Sequence, residues 1–143
     1  MSYNALKYAT TKRAIGFTHA SNSALLVGDP IPWASPYAGT SGHGITVAAG
    51  VVTLPAGHAY LCMVQATTTG SLLTEYRAYI DGVLDASAQY ISIAGAGVTM
   101  ETSNNNASVI VKKSESSQTL EFRSTAARTV LYYFSHLTIL QIG

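Results

Sequence analysis

The dipeptide Asp81-Gly82 separates two runs of β-branched, aromatic and small residues, 72–80 and 83–93. Such a pair supplies the positive φ angles of a two-residue type I′ turn, so the runs predict an antiparallel hairpin. Elsewhere no stretch of ten or more residues repeats apolar side chains at i, i+3 and i+4, the period of an amphipathic helix. Glycine, serine, threonine and β-branched residues are abundant instead, and the chain reads as all-β.

Further strands are expected over 14–19, 45–47, 51–54, 58–67, 107–112 and 119–123, with Pro55-Ala56-Gly57 as a turn. In the last of these, Leu120 and Phe122 alternate with Thr119, Glu121 and Arg123, the pattern of a strand with one wet face. Asn104-Asn105-Asn106 and residues 114–117 read as loop tips, and the prolines at 30, 32 and 36 mark 29–44 as irregular. The final run, 130–142, is apolar on both faces. Val130, Tyr132, Phe134, Leu140 and Ile142 fall on one side, and Leu131, Tyr133, Leu137 and Ile139 on the other. One side belongs to the core. The other needs a second subunit, or a loop such as 28–44 folded over it. At 143 residues and 15.0 kDa the chain fits one domain, an extended N-terminal arm over 1–13 followed by an antiparallel two-sheet jelly-roll sandwich over 14–143.

Only 10% of residues are charged and the net charge is +1, so no single-sign field exists to capture nucleic acid or an anionic membrane. No apolar run approaches the roughly 20 residues of a spanning helix, and the first residues lack the apolar centre of a signal peptide, so synthesis in the cytosol is expected. The lone Cys62 sits between Leu61 and Met63 and reads as a buried thiol. His19, His43, His58 and His136 have no metal-ligand spacing, and no G-x-S-x-G elbow occurs. Asp81 is accounted for by its turn, which removes it from any acid/base pair with Asp85. No catalytic residue, metal ligand or cofactor is predicted, and the expected protein is not an enzyme.

Aromatic side chains are the remaining means of recognition, because they combine large contact area with low entropic cost. Tyr76, Tyr79, Tyr132, Phe134 and His136 are the candidates for subunit contacts, with core burial as the alternative. Tyr3, Lys7, Tyr8, Trp33 and Tyr37 lie in irregular segments and are the candidates for contact with a different partner.

The stretch GVVTLPAGHAYLCMVQAT (50–67) resembles the strand, Pro-x-Gly turn and aromatic strand of C1q/TNF-like jelly rolls. LEFRSTA (120–126) and FSHLTILQI (134–142) resemble the penultimate and closing strands of that family, and the likeness spans residues 44–142. It implies a homotrimer around an axis lined by one sheet. Small, cysteine-poor versions of this kind resemble phage virion proteins. The resemblance therefore implies a capsid decoration (cement) protein on the virion surface, made in the host cytoplasm, with the major capsid protein as partner. The alternative it implies is a head-fibre or tail-fibre knob that binds host-surface glycans. The loop 29–44 and the tyrosine-rich arm have no counterpart in the family pattern.

Overall fold

The computed structural model describes residues 14–18, 23–36, 44–69, 74–92, 103–130 and 135–143. Within them the chain forms twelve strands and no helix: β1 (Ala14–Thr18), β2 (Ser23–Leu25), β3 (Ser35–Pro36), β4 (Thr46–Ala48), β5 (Val51–Leu54), β6 (Tyr60–Thr69), β7 (Thr74–Ile80), β8 (Val83–Ser92), β9 (Ser103–Val111), β10 (Gln118–Ser124), β11 (Arg128–Val130) and β12 (His136–Gln141). They build two antiparallel sheets. The larger runs β2-β11-β6-β12-β1-β3, with β9 paired to β6, and the smaller runs β4-β5-β10-β7-β8. This is the expected jelly-roll sandwich.

The Asp81-Gly82 turn forms as its sequence dictates. Both residues have positive φ, 52° and 75°, and the turn is tied to its neighbour where Thr119 N donates to Asp81 Oδ1 at 2.8 Å. A second turn of the same kind joins β4 to β5 through Ala49 (φ 50°) and Gly50 (φ 81°). Gly50 has a further reason to be glycine, since a Cβ there would run into the Ile31 carbonyl oxygen.

Between the sheets lies an apolar core. The larger sheet contributes Phe17, Tyr60, Cys62, Val64, Val111, Leu137 and Ile139, and the smaller contributes Val52, Leu54, Tyr76, Ala78, Leu120 and Phe122. From Tyr60 to Ala66 on β6, and along β10, every second residue points inward, the period-2 pattern of a strand with one buried face. Burial pushes the Cys62 thiol up to about 12, so it stays protonated and inert.

Three expectations need correction. Asn104, Asn105 and Asn106 are not a loop tip but belong to β9, opposite Thr67, Ala66 and Gln65. The long partner strand β6 supplies the backbone hydrogen bonds that outweigh the turn preference of asparagine. The run 130–142 is not one strand. Val130 opposes Thr68 while His136 opposes Gln65, so six steps along one chain match three along β6 and the ladder cannot be continuous. The buried Ser135 sits just before β12, and its Oγ accepts from Thr67 N at 3.0 Å.

The third correction concerns Trp33, which is fully buried and cannot meet a partner. Its segment looks irregular in sequence but is stitched to the end of β10. Gly28 N donates to Ser124 O at 2.8 Å, Ser124 N to Asp29 O at 2.9 Å, and Ile31 N to Phe122 O at 2.9 Å. With those backbone groups satisfied, the segment is able to turn Ile31 and Trp33 into the core.

Two outcomes follow from this packing. Gly50→Ala should lower stability by about 2–4 kcal/mol in urea denaturation, because left-handed strain and a backbone clash act together. Gly57→Ala, at φ 85° with open space around it, should lose only about 1–2 kcal/mol. Native protein should not react with an aromatic disulfide reagent until denatured. Folding favours the protonated Cys62 thiol, so its contribution is full below the ordinary thiol value near 9.0 and is lost as pH rises from there towards about 12. A Cys62→Ala variant should lack that alkaline decline.

Candidate interaction surface

The sheets differ sharply in where they carry charge. None of the eight Lys and Arg or seven Asp and Glu falls within β1, β6, β9 or β12. A strand facing water on one side ordinarily places charged residues there. Here the outward residues are Leu61, Met63 and Gln65 on β6, Ser108 and Ile110 on β9, and His136, Thr138 and Leu140 on β12. Met63 is 41% exposed, Ile110 60%, and Ile142, just past β12, 49%.

Register places these side chains in rows across the sheet. Leu140 opposes Leu61, which opposes Ile110, and Thr138 opposes Met63, which opposes Ser108. His136 opposes Gln65, with Asn106 at the next position on β9. Gly16 opposes Thr138 where β1 continues the sheet, and it is buried within the single chain. The result is a broad, uncharged, partly apolar surface, exposed at Met63, Ser108 and Ile110 and partly covered at Leu61, Gln65, His136, Thr138 and Leu140.

The smaller sheet has the opposite character. Glu121 accepts two hydrogen bonds from Arg123, each at 3.0 Å, and the Arg123 guanidinium lies 4.1 Å from the Tyr79 ring centroid. Donating to Glu121 holds the Arg123 guanidinium above its already high ordinary value. Arg77 sits directly across from Arg123. This face carries charge, but the pair is only partly open to water, with side chains 30% exposed for Arg123 and 13% for Glu121.

The aromatic candidates therefore scatter. Tyr76 is buried in the core of its own chain, which is the alternative reading of that residue and removes it from a subunit contact. Tyr79 is on the smaller sheet, beneath Arg123, while His136 is on the uncharged face of the larger one. No single flat contact includes both. Tyr132, Phe134, Tyr3, Lys7, Tyr8 and Tyr37 lie outside the described residues. Leu61, Met63, Ile110 and Leu140 were missed, because a search for aromatic rings passes over them. The signal that finds them is the lack of charge in strands whose outward positions should carry it.

Among the described residues no group of three or more His, Cys, Asp or Glu comes together to hold a metal ion. Asp81 is engaged by the backbone of Thr119, and His58 Nδ1 lies 2.9 Å from Gln141 Nε2. A cleft of about 290 Å³ opens among Ile80, Asp85, Ile110, Lys112 and Gln118, beside the exposed end of the uncharged face.

No protein-family model matches the chain, and no curated protein matches it in sequence. Solved structures do match. The chain is similar to an Eiger TNF from S. frugiperda at 16% identity and a TM-score of 0.72, over 91% of this chain and 92% of that one. It is also similar to murine APRIL at pH 8.0, at 10% identity and a TM-score of 0.66, over 90% of this chain and 98% of that one. At such identities the likeness speaks for the backbone alone. Two antiparallel sheets in this strand order, matched over nine-tenths of the chain, give the molecule the TNF-like jelly-roll fold.

Proposed function

We propose that this chain is a non-enzymatic structural protein that associates with copies of itself through the outward face of its larger sheet. The observation that carries this reading is the absence of charge from β1, β6, β9 and β12 where that face meets water. Covering Leu61, Met63, Ile110 and Leu140 removes apolar surface from water, at about 25 cal/mol per Å². The same contact strips no charged group of its hydration, which is what distinguishes this face from the Glu121–Arg123 face opposite. In the TNF-like arrangement that the sequence resembles, the assembly is a homotrimer.

The finer reading is a phage capsid decoration protein. A trimer of this kind would cap the outer capsid surface and stabilise the shell by mass action, binding the assembled form in preference to free subunits. The smaller sheet, which carries Glu121 and Arg123, would then remain outside. With Trp33 in the core, docking to the major capsid protein falls to the arm, through Tyr3, Lys7 and Tyr8, and to Tyr37.

Light scattering on the purified chain should give a native mass of three times 15.0 kDa, roughly 45 kDa. A Met63→Lys substitution should convert it to a folded monomer, since it places an unpaired charge in the contact. A chain already monomeric would overturn the self-association. Removal of residues 1–13 should abolish sedimentation with empty capsid shells while leaving the trimer intact, and retained binding would sink the role of the arm.

A further inference from the structure

The cleft of about 290 Å³ is lined by Ile80, the last residue of β7, by Asp85 on β8, by Ile110 on β9 with Lys112 just past it, and by Gln118, the first residue of β10. Among the described residues β8 pairs only with β7 and β9 only with β6, so the cleft sits at a junction of the two sheets that no shared ladder closes. Its frame is fixed on two sides. Asp81 N donates to Thr119 O at 3.0 Å and Thr119 N to Asp81 Oδ1 at 2.8 Å, which ties the turn beyond Ile80 to the residue after Gln118. Gly57 N donates to Ser114 O at 2.8 Å, which holds the turn that follows Lys112.

The cleft carries charges of both signs that do not pair with each other. No ion pair joins Lys112 to Asp85, and among the described residues no group bonds the side chain of Lys112 or of Gln118. Asp85 has an interaction of its own. A carboxylate presents about four acceptor positions, so that interaction leaves it able to accept further. Lys112 offers only donors, and the Gln118 amide offers both donors and an acceptor. Beside these polar groups stand two aliphatic side chains, Ile80 half-buried and Ile110 60% exposed.

We infer that this cleft binds a small zwitterion with an aliphatic body, an α-amino acid of the leucine type. Its carboxylate takes the Lys112 ammonium, its ammonium takes Asp85, and its hydrocarbon lies against Ile80 and Ile110, with Gln118 bonding either headgroup. A ligand with one charge answers only one of the two groups. Pockets for drug-sized ligands start at about 300 Å³, so this volume suits a molecule of amino-acid size. With Ile110 and Lys112 exposed, part of the ligand stays in water, and the dissociation constant is about millimolar. One chain supplies every lining residue, so nothing here depends on the self-association proposed above, although Ile110 is common to both surfaces.

Titration of the full chain with L-leucine at neutral pH, followed through the methyl signals of Ile80 and Ile110 by nuclear magnetic resonance, tests this. Leucine should give saturable shifts at both isoleucines. Isocaproate, which lacks the ammonium, and isoamylamine, which lacks the carboxylate, should each bind at least about tenfold more weakly. Lys112→Met should weaken leucine binding at least about tenfold while keeping the β signal in circular dichroism, since Lys112 has no hydrogen bond or ion pair within the described fold to lose. Asp85→Asn should weaken it similarly, and Lys113→Met should bind leucine as the wild type does. No saturable shift up to the solubility limit of leucine, equal affinity for isocaproate or isoamylamine, or unchanged binding by Lys112→Met would each overturn the inference. Light scattering on the same samples keeps the two readings apart: a monomer that binds leucine overturns self-association and supports the cleft.

Discussion

Strand β6 organises the molecule through its backbone. Along one edge it pairs with β9 from Tyr60 to Thr68, and along the other it pairs first with β12 and then with β11. Its inward residues, Tyr60, Cys62, Val64 and Ala66, form a continuous stripe in the core, and its outward residues, Leu61, Met63 and Gln65, form the middle of the uncharged face. One strand thus fixes both the interior and the surface, because side chains alternate with a period of two. A slip of one residue would exchange the two roles.

The two sheets divide the labour of solubility and contact. Among the described residues charge lies mostly on the smaller sheet and between strands, at Arg77, Glu121, Arg123, Asp81, Lys112 and Lys113, with Arg128 on β11 of the larger sheet. The larger sheet is left open to association. A chain with 10% charged residues could have spread them evenly, and segregating them instead gives two faces of opposite behaviour from one sandwich.

Much of this architecture was legible in the sequence where the signal is local. Asp81-Gly82 forms its turn, Val51–Leu54 forms β5, and the alternation of Leu120 and Phe122 with polar neighbours appears as the buried and open faces of β10. What was not legible depends on partners far away in sequence. Proline-broken residues near Trp33 read as surface because irregular backbone usually needs water, yet Ser124 and Phe122 supply the hydrogen bonds from β10 instead. Asn104–Asn106 read as a loop because asparagine competes for backbone groups, yet β6 offers those groups a ladder. The interface candidates failed for a different reason. Aromatic residues mark contact area but not which sheet they lie on, and Tyr76, Tyr79 and His136 end up in three different environments.

The ends of the sheets bear on how a weakly charged chain avoids uncontrolled association. The long outer strands β8 and β9 pack against one another at one corner of the sandwich. At the opposite corner the sheets end in β3 and β4, two and three residues long, and β3 contains Pro36, which has no amide hydrogen to donate. A strand so short is a poor template for a passing chain. Growth by adding backbone to backbone, the route towards fibres, is thereby discouraged at that corner, and side-chain contact across a sheet face, which saturates when a closed ring is complete, is left as the favoured way for copies to meet.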